Sequence, residues 1–204
     1  MCIRDSVAIG SDDDFIRMPM TAMTAQRIAT LTGCILPTRK LVDDIHRHAK
    51  AKLPPCWIEG GPTLRHRLDY VKHHEDLEAQ RSRKGYRLGE LTAGDMKDIV
   101  LTNRLVDREQ RVAIYGWHKE NGEIIQPLST AHGRRYADYS HGVRLVHGAM
   151  TIDGVEHEVS RVLQSAALCS TLSDEGPLRY VTYPLDWPVD PPEKTRRRRT
   201  ARRP

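Results

Sequence analysis

The sequence predicts an α+β fold in one domain, with an N-terminal hairpin and helices packed on an antiparallel sheet. Three observations carry this. Apolar residues in the first half recur at helical spacing, as in Leu41, Val42, Ile45 and Ala49. From Gly85 the texture changes to β-branched runs parted by glycine turns: Ile99-Val-Leu-Thr102, Val112 to Trp117 and Ile124-Ile125. Between the last two lies Asn121-Gly122, a pair suited to a type I′ hairpin turn.

The chain of 204 residues, 39% hydrophobic and 29% charged, has enough apolar material for one core of moderate size. No apolar run approaches the roughly eighteen residues of a membrane helix, so no membrane span is expected. The net charge of +5 has a local origin, because seven basic residues and no acid lie in 194–204. The rest of the chain has no basic surplus, which leaves nucleic acid as a partner only through that tail. Domain limits follow: 1–6 as an artefact or truncated start, 7–178 as the α+β domain, and 179–204 as a disordered Pro/Arg-rich tail.

Met1-Cys-Ile-Arg-Asp-Ser6 lacks the basic start and apolar centre of a signal peptide and reads as a translated adapter remnant. The native start is therefore expected upstream, and a secreted or periplasmic location is favoured over a cytoplasmic one. Cys2, Cys34, Cys56 and Cys169 form no CxxC pair. A Cys34–Cys56 bridge stays open for an exported chain.

In chain order, Gly10-Ser-Asp-Asp-Asp14 joins two short apolar runs as a hairpin turn, in preference to a calcium loop. Thr24 is read as the cap of a helix over 25–31, and Pro37-Thr38 opens a second helix that Pro54-Pro55 stops. His46 reads as a surface histidine. Residues 64–84 form a charged, half-exposed helix whose sparse apolar edge is Leu68, Val71, Leu77 and Ala79. His73 and His74 on it point about 100° apart and make no joint ligand set. Asp153-Gly154 marks a second hairpin, and 159–172 returns to helical spacing.

The chemistry concentrates in 97–147. Tyr136-Ala-Asp-Tyr-Ser-His-Gly-Val-Arg-Leu-Val146 packs an acid, two phenols, a hydroxyl and an imidazole ahead of an apolar run. Read as one strand, it places Tyr139, His141, Val143 and Leu145 on one face and Ser140, Gly142, Arg144 and Val146 on the other. The candidate catalytic set is His118, Asp138, His141 and Lys97: His118 or His141 as a base oriented by Asp138, with Lys97 or Arg144 facing a developing anion. Trp117, Tyr136, Tyr139, Ser140 and Arg144 are the candidate substrate-binding residues. A zinc-assisted version would use His132, Asp138 and His141 as ligands, although no H-E-x-x-H occurs. No G-x-S-x-G elbow surrounds Ser140.

The segments GSDDDFIRMPMTAMTAQRIA, LPTRKLVDDI, KDIVLTNRL, VAIYGWH, YADYSHGVRLV and LSDEGP resemble those of a group of uncharacterised bacterial proteins from environmental genomes, over residues 7–178. The resemblance implies a single-domain family with 1–6 and the tail outside it, and carries no activity. The expected function is a hydrolase acting on a polymer (peptidoglycan, peptide or polysaccharide) by His/Asp chemistry. Its partner would be a polymeric or small-molecule substrate. The alternative is a non-catalytic carbohydrate- or peptide-binding protein, and the third reading is a nucleic-acid-associated protein using the arginine-rich tail.

Overall fold

The N-terminal hairpin pairs β1 (Ala8–Gly10) with β2 (Phe15–Arg17), Ala8 opposite Arg17 and Gly10 opposite Phe15. Ser11 and Asp14 close its turn through the Ser11 N–H to the Asp14 carbonyl (2.8 Å) and the Asp14 N–H to Ser11 Oγ (3.2 Å). Gly10 is required there. Its φ is +127°, and a Cβ would fall 2.1 Å from the Asp14 carbonyl oxygen. The computed structural model describes residues 5–58 and 67–185, so 1–4 and the arginine-rich 194–204 lie outside the described residues.

α1 (Ala22–Leu31) begins one turn before the predicted start. Thr21 is the cap, and its hydroxyl accepts from the Thr24 N–H at 3.3 Å, making Thr24 the donor rather than the cap. β3 (Cys34–Ile35) follows, then α2 (Arg39–His48), where Thr38 Oγ accepts from the Leu41 N–H at 3.2 Å. Leu41, Val42, Ile45 and Ala49 are buried, as their spacing predicts. The helix ends at His48, well before Pro54-Pro55, because β4 (Ala51–Lys52) pairs in parallel with β5 (Thr92–Ala93). Between them runs α3 (Arg67–Arg83). Its buried positions are His73 and Leu77, one turn apart, while Leu68 and Val71 of the predicted apolar edge are exposed. Cys34 and Cys56 are free thiols, so the bridge between them does not form.

The main sheet contains β6 (Lys97–Ile99), β7 (Ile114–His118), β8 (Ile124–Ser129) and β9 (His141–Gly142) in the order β8-β7-β6-β9. β6, β7 and β8 are antiparallel, and β9 lies parallel to β6. The sheet is therefore mixed, and the parallel pair is formed by the stretch that carries the chemistry. The β7–β8 turn differs from the predicted type. Gly122 alone is left-handed (φ +88°), the Gly122 N–H donates to the Lys119 carbonyl at 2.9 Å, and the Lys119 N–H donates to Glu123 O at 2.9 Å. This is a type I turn closed by a glycine bulge. The type I′ pattern occurs instead at Asp153-Gly154 (φ +49° and +82°), joining β11 (Ala149–Ile152) to β12 (Val155–Glu158).

The predicted strand across Tyr139–Val146 is two short strands in different sheets: β9 beside β6, and β10 (Val146–His147) beside β3. The helix predicted over 159–172 is also divided, into α4 (Val159–Gln164) and a short turn at Cys169–Thr171. Ala22, Ala25 and Ala29 of α1, Ile99, Ile114, Val143, Leu145 and the apolar side of α4 form the principal core. Val42 of α2 packs with Val100, Ala113, Tyr115 and Leu128 on the opposite face of the sheet. Each large side chain so buried contributes about 1.5–3 kcal/mol. Packing continues past residue 178, within the segment expected as tail. The Tyr183 hydroxyl accepts from the Ala113 N–H (3.0 Å) and donates to the Val100 carbonyl (2.8 Å).

No helix among the described residues is long and apolar enough to cross a membrane.

Candidate functional site

Register sorts the chemistry onto two faces. Lys97 stands opposite His141 across the parallel β6–β9 pair, whereas Asp98 stands opposite Tyr115 across β6–β7. Neighbours on a strand point to opposite sides. Lys97 and His141 therefore share one face, just beyond the Ile99–Ile114 part of the core, and Asp98 and Tyr115 share the other.

On the first face Asp138 is the organiser. Its Oδ1 accepts from the Ser140 N–H at 2.9 Å and from Ser140 Oγ at 2.6 Å, and its Oδ2 accepts from the Tyr136 hydroxyl at 3.2 Å. His141 Nε2 lies 4.0 Å from Asp138 Oδ2. The His141 ring is fully buried, and among the described residues neither nitrogen has a hydrogen-bond partner. Such groups are costly to leave unpaired. Burial pushes the His141 imidazole down to about 4, with Asp138 opposing, so the ring is neutral at pH 7. Burial favours a higher value for Asp138, but His141, the Ser140 bonds and Lys97 outweigh it and hold the carboxyl below its ordinary range.

Lys97, half-buried, completes the group. Burial lowers its ammonium while Asp138 supports it, and Nζ sits 4.4 Å from the Trp117 ring centroid. Trp117 reaches this position through a backbone irregularity: the β7–β8 register shifts between Ile114 and Gly116, and Trp117 itself has φ +56°. A left-handed tryptophan costs roughly 1–2 kcal/mol. It is held by the Trp117 N–H to the Met96 carbonyl (3.1 Å) and by its indole N–H to the Asp95 carbonyl (3.1 Å). His132 stacks on Tyr136 with centroids 4.0 Å apart and an interplanar angle of 8°. Tyr70 of α3 also faces Asp138, which, after burial, holds its phenol above the usual range.

The same irregularity sends His118 elsewhere, which corrects the expected joint set. His118 Nε2 lies 3.1 Å from Asp43 Oδ1, the same oxygen that accepts from the Tyr115 hydroxyl at 2.8 Å. His46 stacks on His118 with centroids 4.6 Å apart. These residues flank an open cleft of about 360 Å³ beside Lys52 and Asn121. His46 is buried rather than superficial, and burial, followed by His118, pushes it down to about 4. Asp43 and His46 were missed in the sequence, although their spacing of three places both on one side of a helix.

Three further expectations need correction. Arg144 is 1% exposed with its Nε 3.5 Å from Asp98 Oδ2, a buried ion pair on the face opposite His141. Tyr139 is buried, and its hydroxyl accepts from the Ile58 N–H at 3.3 Å, anchoring a neighbouring segment. Among the described residues, no group of three or more His, Cys, Asp or Glu converges as a metal site. His132, Asp138 and His141 are neighbours, but His132 is turned flat against Tyr136 and they do not form the expected ligand set.

Comparison of the chain with protein-family models, curated proteins and solved structures finds no match.

Proposed function

We propose that the protein is a hydrolase acting on a polymer (peptidoglycan, peptide or polysaccharide), with Asp138, His141 and Lys97 as its acid–base centre. The observation that carries this reading is His141: a fully buried imidazole whose two nitrogens have no partner among the described residues, next to a fixed carboxylate and in register with a lysine. A neutral imidazole can take a proton from water, and Asp138 is placed to favour the imidazolium that forms. Ser140 and Tyr136 hold Asp138 in orientation. Lys97 supplies positive charge for the oxyanion. His118 belongs to the opposite face and has no part in this step.

The testing experiment measures hydrolysis of peptidoglycan, peptide and acetyl-ester substrates by the wild type and by His141→Ala and Asp138→Asn. The reading requires turnover that falls about 10²–10⁴-fold in the histidine variant. Absence of turnover on every substrate class, with ligand binding retained, would instead support a non-catalytic carbohydrate- or peptide-binding protein. The exposed Trp57 favours that second reading.

A further inference from the structure

Trp57 is 63% exposed, yet its inner surface is fixed: its ring centroid lies 4.2 Å from that of Trp117, which is 2% exposed. The Trp117 ring also carries Lys97 Nζ. One buried indole thus ties an exposed indole to the acid–base centre. An aromatic surface held rigid in water beside polar groups loses little entropy on binding and gains by being covered. The partner it suits is a pyranose ring, with a flat C–H face and hydroxyls at its rim.

Glycosidic cleavage uses two carboxylates flanking the scissile oxygen. Among the described residues the hydrogen-bonded group holds one, Asp138, whose oxygens already accept from Ser140 and Tyr136. Asp98 faces the other side, beside Arg144. One histidine, its carboxylate and a lysine are the parts of acyl hydrolysis.

We infer that the substrate is an acylated saccharide, its sugar ring laid on Trp57 and its ester or N-acyl carbonyl presented to His141 and Lys97. This rests on the hydrolase reading and narrows it. Water adds to the carbonyl carbon as His141 takes a water proton, and Lys97 faces the oxyanion. The bond from the acyl carbon to the sugar oxygen or nitrogen then breaks. His141 returns the proton to that atom, and the products are a carboxylic acid and a free sugar hydroxyl or amine.

The test uses the full chain with acetylated xylo-oligosaccharides, the N-acetylglucosamine tetramer and p-nitrophenyl acetate, scoring acetate and new reducing ends separately. Acetate without new reducing ends is expected. Trp57→Ala should lower kcat/KM for the acetylated oligosaccharides relative to p-nitrophenyl acetate by about tenfold or more, and Trp57→Phe should recover part of it. New reducing ends, or a ratio unmoved by Trp57→Ala, overturn the acyl-saccharide assignment. In that case His141-dependent turnover of p-nitrophenyl acetate leaves the hydrolase reading standing. No turnover of any of the three substrates overturns the acyl-saccharide assignment, and the peptidoglycan and peptide assays then decide the hydrolase reading.

Discussion

Lys97 and His141 are direct partners on the parallel strands β6 and β9, while the adjacent Lys97 backbone N–H donates to the Ser140 carbonyl at 2.7 Å. The two side chains share a face because the backbone bonds fix their register. A one-residue slip would send His141 to the Asp98 side.

Replacing Lys97 with Met keeps most of its length against Trp117 and removes its charge. In the proposed mechanism this lowers kcat about 10²–10³-fold with little change in folding. A kcat within twofold of wild type would exclude Lys97 from anion stabilisation.

Asp138→Ala removes the acceptor for the Ser140 N–H, Ser140 Oγ and the Tyr136 hydroxyl. Leaving the buried Ser140 donors unpaired costs about 1–3 kcal/mol. Denaturant midpoints would show this, and Asp138→Asn should recover much of it because the amide oxygen still accepts.

Arg17 joins the N-terminal hairpin to α3: its guanidinium lies 2.5 Å from Asp5, 2.6 Å from Glu78 and 3.9 Å from Asp95, with its own side chain 1% exposed. Arg17→Met removes the cation that Asp5 and Glu78 share at this buried position. The expected loss is about 3–5 kcal/mol, read by thermal or chemical unfolding. A loss under about 1 kcal/mol would show that the pairs merely offset their desolvation.

Stability should fall as pH drops from 6.5 to 4. Burial pushes His46, His73 and His141 down to about 4 in the folded state. In that window the unfolded chain takes up protons that the folded chain refuses. Each histidine adds a slope of about 1.4 kcal/mol per pH unit. Asp95 acts in the opposite sense, since burial pushes its carboxyl up to about 7: it is protonated when folded and ionised when unfolded, which favours the fold as pH falls from 7 toward 4. Asp95→Asn should therefore steepen the acid loss, as measured by urea titrations at several pH values. A shallower acid limb in that variant would overturn the assignment.

Replacing Gly116 with Ala tests the bend that separates the two faces. Its φ is +113°, and an added Cβ would meet Val42 at 3.4 Å and the His118 ring at 3.5 Å. A cost of more than about 1 kcal/mol is expected, read from the unfolding midpoint.

Much of the fold was legible in local chemistry. Thr38 followed by an apolar stripe gave α2, the Asp-rich loop after Gly10 gave the first turn, and Asp153-Gly154 gave the hairpin of β11 and β12. Asp138 and His141 are close in the chain and were named together, but the stretch before β9 folds as a turn where a strand was expected, and that turn lets Ser140 bond Asp138. His73 escaped because α3 turns a histidine inward one turn before Leu77, where it meets the Tyr139 ring at 5.0 Å.

By itself the sequence determined the α+β class and the chemical content of the stretch around Tyr136–Val146. Composition, period and turn chemistry act over a few residues, and these features depend on nothing farther away. Only the tertiary structure decided which histidine serves which acid. Strand register and the left-handed backbone at Trp117 are settled by pairing between segments distant along the chain, and they set His141 beside Lys97 and His118 beside Asp43. They also placed Trp57 over Trp117, bringing an exposed ring from an unremarked loop to the edge of the candidate site.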